Sequence, residues 1–271
     1  MKKILISLSV IAAAAAIVVG ATTAFFSDTE TSTGNTFTAG AIDLGIDNTS
    51  YYNGVRNAST TWALNFDLDK GCPNPFFNES GDDRRTIPCL FFNFSDLKPG
   101  DWGEDTISLH VNNNDSYLCA DVTLTSDNDN DVTEPEGDLG DTAPVGELAN
   151  AVNFFWWADD GDNVFETCQD ATGQPSDCKS ETLLPAGSLG NLAVGQTATV
   201  ALADSDQNIW GDAGFALPGG STRFIGKAWC FGNSTFLPYP QGDLTGPNVR
   251  PVICDGSGVN NITQTDSMTA D

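Results

Sequence analysis

The stretch "LKPGDWGEDTISLHVNNNDSYLCADVTLTS", residues 97–126, says most about the fold of this chain. Pro99 and Gly100 suit the two central positions of a type II turn. Apolar and polar residues then alternate twice, a period typical of strands that bury one face. The apolar positions are Ile107, Leu109 and Val111, and then Leu118, Ala120, Val122 and Leu124. We predict an antiparallel hairpin with one buried face, turned by the residues "NNNDS" between the two runs.

Similar short runs, bounded by Gly, Asn, Asp and Pro, recur along the chain and predict further strands. They cover residues 36–46, 60–68, 90–94, 152–158, 198–203 and 222–231. The segments 51–60, 127–147 and 159–195 contain no core-sized apolar set, and we interpret them as loop insertions. The pattern predicts an all-β chain whose residues 36–271 form a single jelly-roll-like antiparallel β-sandwich domain with long acidic loops.

The N-terminus has the features of an export signal. Lys2 and Lys3 precede an apolar run over residues 4–19, and small residues at Thr22 and Ala24 fit a cleavage site. An uncleaved anchor is the alternative, because the run approaches the length that spans a bilayer. We predict a signal peptide over residues 1–24, cleavage between Ala24 and Phe25, and a secreted or cell-surface protein without a membrane span.

The net charge limits the partners. At −26 for 271 residues, the chain repels nucleic acid and anionic lipid headgroups, so neither is expected to bind directly. Such a surface suits calcium, cationic partners or a salty medium, and charge alone does not choose among them.

Seven cysteines in an exported chain predict disulfides. Spacing favours three local pairs, which leave Cys119 over. The pairs are Cys72 with Cys89, Cys168 with Cys178, and Cys230 with Cys254. A bond between Cys119 and Cys230 across neighbouring strands is the alternative.

The sequence shows no catalytic constellation, so we expect no enzyme. His110 is the single histidine and lies on the outward face of its predicted strand, which favours a surface histidine over a zinc ligand. No GxSxG motif is present. Trp156, Trp157, Trp210 and Trp229 could line a glycan-binding surface, but such residues more often fill a sandwich core.

Two acidic stretches are candidates for calcium. "DNDND" places Asp127, Asp129 and Asp131 at alternate positions, but Val132 replaces the glycine that a calcium loop of the EF-hand type needs. "ADDGDNVFE" is the better candidate, and its potential ligands are Asp159, Asp160, Asp162 and Glu166. A hydrophilic loop on an acidic protein is the alternative in both cases.

The mature N-terminus resembles a known family. The alanine-rich apolar run, the Thr-x-Ala site and "FFSDTETSTGNTFTAGAIDL" are similar to the N-terminal region of the TasA/camelysin family of biofilm-matrix fibre proteins. "NFSDLKPGD" resembles a second segment of that family. The resemblance covers residues 1–46 and 92–124.

The resemblance implies a jelly-roll subunit that is exported with a dedicated signal peptidase and polymerises by donor-strand complementation. Residues 25–35 of one subunit would add as a strand to the sheet of the next, head to tail, which gives an open filament. The polymerisation residues would be Phe25, Phe26, Ser27, Asp28 and Thr29, with the two phenylalanines as apolar anchors. Camelysin members also carry a metalloendopeptidase label, and a monomeric adhesion module that binds calcium or glycan is a third hypothesis.

Overall fold

A computed structural model describes residues 43–75, 86–142, 144–168, 181–184, 187–240 and 252–271. The predicted signal peptide 1–24, the cleavage site at Ala24 and Phe25, and the predicted polymerisation segment 25–35 lie outside the described residues. Those described belong to a unit that runs from Gly40 to Asp271.

The described residues are mostly strands, which confirms the all-β expectation. In chain order the strands are β1 Leu44–Tyr52, β2 Val55–Arg56, β3 Trp62–Asn65, β4 Cys72–Pro73, β5 Thr86–Ile87, β6 Trp102–Val111, β7 Leu118–Asn128, β8 Val152–Asp159, β9 Glu166–Thr167, β10 Gly187–Ser188, β11 Thr197–Ala203, β12 Ser221–Phe231, β13 Asn233–Phe236, β14 Tyr239–Pro240, β15 Val252–Asp255 and β16 Ser267–Ala270. The helices are α1 Glu134–Asp138 and α2 Leu148–Ala151, with 3-10 turns at Leu68–Lys70, Leu189–Asn191, Gly256–Gly258 and Asn261–Thr263. No helix in the described ranges has the length and apolar character to cross a membrane.

Two antiparallel sheets face each other across a shared core. The larger has seven strands in the order β10-β8-β12-β6-β1-β2, with β3 also paired to β1, and the smaller has the order β11-β7-β16. Leu124 of β7 packs in one cluster with Phe154 and Trp229 of the larger sheet. Leu202 of β11 packs in another with Ile107 and other residues of β6 and β12. The sandwich arrangement is therefore present, whereas the jelly-roll connectivity stays a prediction.

The predicted hairpin over residues 107–124 is wrong, although its alternation is correct. Strand β6 pairs with β1 and β12, whereas β7 pairs with β11 and β16 in the other sheet. The connection between them crosses from one layer to the other, and Ser116 within it bridges to Leu217. Both strands bury one face in the same core from opposite sides. Alternation reveals which face is buried but does not identify the neighbouring strand.

The turn before β6 has the predicted form. Gly100 has a φ of +92°, and the Asp101 amide donates to the Lys98 carbonyl at 2.9 Å. These are the features of a type II turn with glycine at its third position.

The predicted strand at residues 90–94 is also wrong, because this segment joins no ladder. Its carbonyls accept from side chains instead. The Trp62 indole donates to the Leu90 carbonyl at 3.3 Å, and the Lys227 ammonium donates to the Phe91 carbonyl at 3.0 Å. Its aromatic rings pack on Trp62 and on core residues such as Trp229. The apolar run that suggested a strand is thus a covering segment for the core.

A buried ion pair lies inside the sandwich. Lys227 of β12 and Asp105 of β6 are both inaccessible to solvent, and the ammonium nitrogen lies 2.8 Å from the carboxylate. Their strands are paired at this register. The ammonium also lies over the rings of Phe91, Phe92 and Trp156 at 5.2–5.8 Å from their centroids. Fully buried Asn48 is a further polar neighbour, with its side-chain amide 3.5 Å from the Asp105 carboxylate.

The outer face of the larger sheet carries a second core. Trp157 is fully buried there among Phe165, Ala228 and Val252. Trp229 is buried in the core between the sheets, so for these two tryptophans the core interpretation is confirmed. Trp156 and Trp210 pack against the core clusters while half-buried.

Candidate functional site

The three-stranded sheet has an edge on which a further strand could pair. β7 is its central strand, and β11 and β16 flank it. Among the described residues, β11 pairs with β7 alone, apart from a bridge between Ala203 and Asn208 at its end. The side of β11 that faces away from β7 is therefore open from Thr197 to Val200, while the Ala201 carbonyl accepts from the side-chain amide of Gln207 at 3.0 Å.

Over residues 197–200 the open edge carries none of the usual protections against strand addition, and the irregularity in the pairing of β11 lies beyond it, between Ala201 and Ala203. Sheet edges are normally blunted by charged side chains, proline, bulges or very short strands. β11 reads "TATVALA", with neither charge nor proline over seven residues. β16, at the other side, has only four residues. β11 is thus the longer edge strand, and its backbone groups are the ones available for pairing.

Small and apolar side chains of β11 point into the core, and hydroxyls point out. Val200 packs in the core cluster that contains Ile107. On the outer face the Thr199 hydroxyl donates to Asp121 at 2.6 Å, and Thr197 and Thr123 share a hydrogen bond of 2.6 Å. A strand added beside β11 would also have one side facing the core and one facing solvent, so alternate residues of it would face the core.

The acidic loop after β8 uses its carboxylates in different ways. Asp159 is buried and accepts from the Trp157 indole at 2.9 Å and from the Gly161 and Asn163 amides. Asp162 accepts from the Val164 amide at 3.0 Å. These two residues therefore shape the turn. Calcium binding by them stays a prediction.

The other two predicted ligands lie beside a residue that sequence reasoning missed. Carboxylate oxygens of Asp160, Glu166 and Glu181 lie within 4.8 Å of one another. Glu181 accepts from the Asp160 amide at 3.0 Å and from the Glu166 amide at 2.7 Å. It lies 15 residues beyond Glu166 in the chain, and no spacing rule connects it to "ADDGDNVFE".

Burial raises the pKa values of two carboxyl groups in this loop. The pKa of Glu181 rises to about 9 because the side chain is withdrawn from water, and the negative charges of Asp159 and Asp160 add to the effect. Burial likewise raises the pKa of Asp159 to about 7, against the lowering effect of its hydrogen bonds. Both groups favour the protonated form in the folded state.

In a metal-free buffer, Glu181 makes stability fall as the pH rises. Between its ordinary pKa of 4.5 and the folded value of about 9, the folded state holds a proton that the unfolded state has lost. Glu181→Gln should therefore flatten the decline in Tm between pH 5 and 9 in EDTA, measured by thermal unfolding. Glutamine keeps only one of two acceptors, so an offset at every pH is expected and the slope is the readout. The exposed control Asp206→Asn should keep the wild-type slope of Tm against pH. If Glu181→Gln also keeps that slope, this assignment is contradicted.

The cysteines follow the local pairing where they are described. Cys72 bonds to Cys89 and Cys230 to Cys254, and Cys119 is free and exposed. The alternative bond between Cys119 and Cys230 is wrong, because Cys119 lies on β7 and Cys230 on β12, in different sheets. Cys178 lies outside the described residues, so the third predicted pair stays a prediction.

His110 is held on the outer face of the larger sheet, as its alternation predicts. Its two ring nitrogens lie 2.7 Å from the Asp47 carboxylate and 3.0 Å from the Thr222 hydroxyl. It is the single histidine of the chain. This arrangement does not fit a histidine-based zinc centre.

Comparison with models of known protein families gives a match at the N-terminus. Residues 1–59 match a family model described as Camelysin metallo-endopeptidase. The match confirms the resemblance to the TasA/camelysin family over the N-terminal part of the chain. Searches of curated proteins and of solved structures found no match.

Proposed function

We propose that this chain is the secreted subunit of an extracellular, biofilm-type fibre. Residues 25–35 of one mature subunit add as a strand to the open edge of β11 in the next. The observation that carries the proposal is the uncharged, seven-residue edge strand, which among the described residues pairs on one side only over most of its length. An edge of this kind is a template for another chain unless it is occupied.

The N-terminal match supports the choice of donor. It spans the predicted cleavage site and the whole segment 25–35. Phe25 and Phe26 would stand at the very start of the mature chain, where a short apolar group can reach a neighbour. Alternate residues of the added strand would face the core beside Ala198 and Val200.

The geometry of such a contact produces filaments. The donor and the acceptor are different surfaces of the same chain, so each subunit can accept one strand and donate another. A heterologous contact of this kind does not close on itself unless the rotation happens to form a ring. Secretion, which the export signal predicts, would place the filament outside the cell.

The proposal assigns no peptidase activity to this chain. The matched family model has "metallo-endopeptidase" in its name, but that name describes the family and does not assign an activity to this chain. In this chain the lone histidine is engaged by Asp47 and Thr222. Casein hydrolysis by the purified mature protein that EDTA abolishes would contradict this part of the proposal.

Electron microscopy of mixtures tests the fibre proposal. The mature chain should form filaments, and a variant that lacks residues 25–35 should not. That variant keeps its acceptor edge but has no donor, so it should cap one growing end. We expect mean filament length to fall as its mole fraction in the mixture rises.

Two outcomes would contradict this mechanism. One is filaments from the deletion variant alone, and the other is wild-type filaments whose length does not respond to it. Absence of filaments from either protein, across salt and calcium concentrations, would instead favour a monomeric adhesion module. A scrambled version of residues 25–35 serves as a matched control for chain length.

A further inference from the structure

Six carboxylates come together where the loop between β7 and β8 meets the segment before β16. We call this group the carboxylate cluster. Its members each have one oxygen that is shielded from solvent and that no hydrogen-bond donor reaches. These oxygens are Asp127 Oδ1, Asp129 Oδ2, Glu136 Oε1, Asp141 Oδ2, Glu147 Oε2 and Asp266 Oδ1.

The two most buried members show how unusual this arrangement is. Glu136 is 0% exposed and Asp129 is 8% exposed. One oxygen of Glu136 accepts from the Thr133 amide at 2.6 Å, and one oxygen of Asp129 accepts from the Asp131 amide at 3.1 Å. The second oxygen of each side chain has no partner. A buried, uncompensated carboxylate costs several kcal/mol, so a fold does not retain a group of them without something to offset the charge.

The surrounding chain supplies no positive charge. Residues 111–178 and 251–271, which include the entire cluster, contain no lysine, arginine or histidine. Within the described part of the chain, the salt bridges of Lys70, Lys98, Arg223 and Lys227 all go to carboxylates outside the cluster.

Backbone groups hold the cluster in position. One oxygen of Asp266 accepts from the Glu147 and Leu148 amides, at 2.6 and 3.0 Å. Gly146 is needed for the close approach, since a Cβ there would lie 2.8 Å from the backbone of Asn128. Asp129, Glu136 and Asp266 are thus each fixed by one oxygen, while the other oxygen remains for a ligand.

We propose that the carboxylate cluster is a calcium site that ties the C-terminal strand to the body of the domain. Calcium takes six to eight oxygen ligands at 2.3–2.6 Å, so two ligands of one ion lie at most about 5 Å apart. Carboxylate oxygens of Asp129, Glu136 and Asp266 lie within 4.8 Å of one another. Magnesium usually keeps several waters and takes only one or two carboxylates, which fits this all-carboxylate group less well.

The position of the site gives it a structural consequence. Asp266 directly precedes β16, which pairs with the end of β7 from Asn128 to Leu124. Asp127 and Asp129 lie at the end of β7 and just beyond it. An ion shared by these residues joins the edge strand β16 to β7 and to the loop that carries Glu136. Calcium therefore stabilises the docking of β16.

Thermal unfolding and calorimetry with CaCl₂ test the site, using the full mature chain. We expect saturating calcium, about 100-fold above Kd, to raise Tm by about 5 to 10 °C over EDTA. Glu136→Gln should weaken calcium binding at least about tenfold. In EDTA the same variant should be as stable as the wild type or more stable, because it removes one repelling charge. This reversal of sign distinguishes a ligand from a residue that merely supports the fold.

Two controls make the result specific. Asp138→Asn changes the same charge on α1, at an exposed position outside the cluster, and should leave the calcium response intact. Glu181→Gln, in the other acidic group, should do so too. A wild-type Tm that calcium does not change, an equal rise with MgCl₂, or a response lost in Glu181→Gln but kept in Glu136→Gln would each overturn the assignment.

Discussion

Replacing Lys227 by methionine should lower the free energy of unfolding by about 3 to 5 kcal/mol. Methionine nearly preserves the side-chain volume. It leaves Asp105 buried and charged, without the Lys227 ammonium that lies 2.8 Å from its carboxylate. Asn48 is a weak substitute, since its amide lies 3.5 Å from the remaining Asp105 oxygen. The loss is large because the removal of one partner of a buried pair exposes the full desolvation cost of the other. Urea unfolding followed by tryptophan fluorescence measures it.

A double variant separates charge from packing. Lys227→Met combined with Asp105→Asn removes both charges and should recover much of the lost stability. If Lys227→Met costs less than about 1 kcal/mol, or if the double variant is no better than the single one, the buried pair is not what stabilises this part of the core. The exposed pair of Lys98 and Asp96 is the matched control, and Lys98→Met should change stability by no more than about 0.5 kcal/mol.

Removal of the bond between Cys230 and Cys254 is the second large effect that we expect. The two residues are 24 positions apart, and the loop-closure entropy released to the unfolded chain corresponds to about 3.5 kcal/mol. Cys230 is also fully buried beside Trp157 and Val252, so its substitution disturbs the outer core. Cys230→Ala with Cys254→Ala should lower the urea midpoint accordingly.

Free Cys119 requires a control in this experiment. Cys119→Ala removes the one free thiol among the described residues and should by itself change stability by no more than about 0.5 kcal/mol. The double alanine variant is best measured in this background, where thiol exchange with Cys119 is impossible. A loss below about 1 kcal/mol would show that the bond adds little to this fold.

The alternation of residues 107–124 predicted the buried faces of two strands but not their sheet partners. A strand in either sheet of a sandwich buries the same kind of face, so the pattern is identical for a hairpin and for a crossing between layers. The buried ion pair could have been anticipated. Lys227 shares its phase with Ile225 and Trp229, and Asp105 shares its phase with Ile107. A charge at an inward position on each of two strands allows a buried pair, although Arg223 shares the phase of Lys227 and pairs with Asp212 instead.

The acidic sites were harder to anticipate because their members are far apart in the chain. Asp127 and Asp129 are visible in "DNDND", but Asp266 lies more than 130 residues away and reaches them only through the pairing of β16 with β7. Glu181 joins Asp160 and Glu166 in the same way. The edge of β11 could be predicted as a strand from its sequence, but its open side follows only from the order of strands in the sheet.

Binding of a synthetic peptide tests the central claim most directly. The peptide has the sequence "FFSDTETSTGN", residues 25–35, and its partner is the subunit that lacks this segment. If one subunit's N-terminus completes the next subunit's sheet, calorimetry should show saturable binding of one peptide per subunit, and backbone amides of β11 should gain protection from hydrogen exchange. A peptide with both phenylalanines replaced by serine should bind much more weakly. Absence of binding by the native peptide, or protection that appears elsewhere and not on β11, would contradict the account.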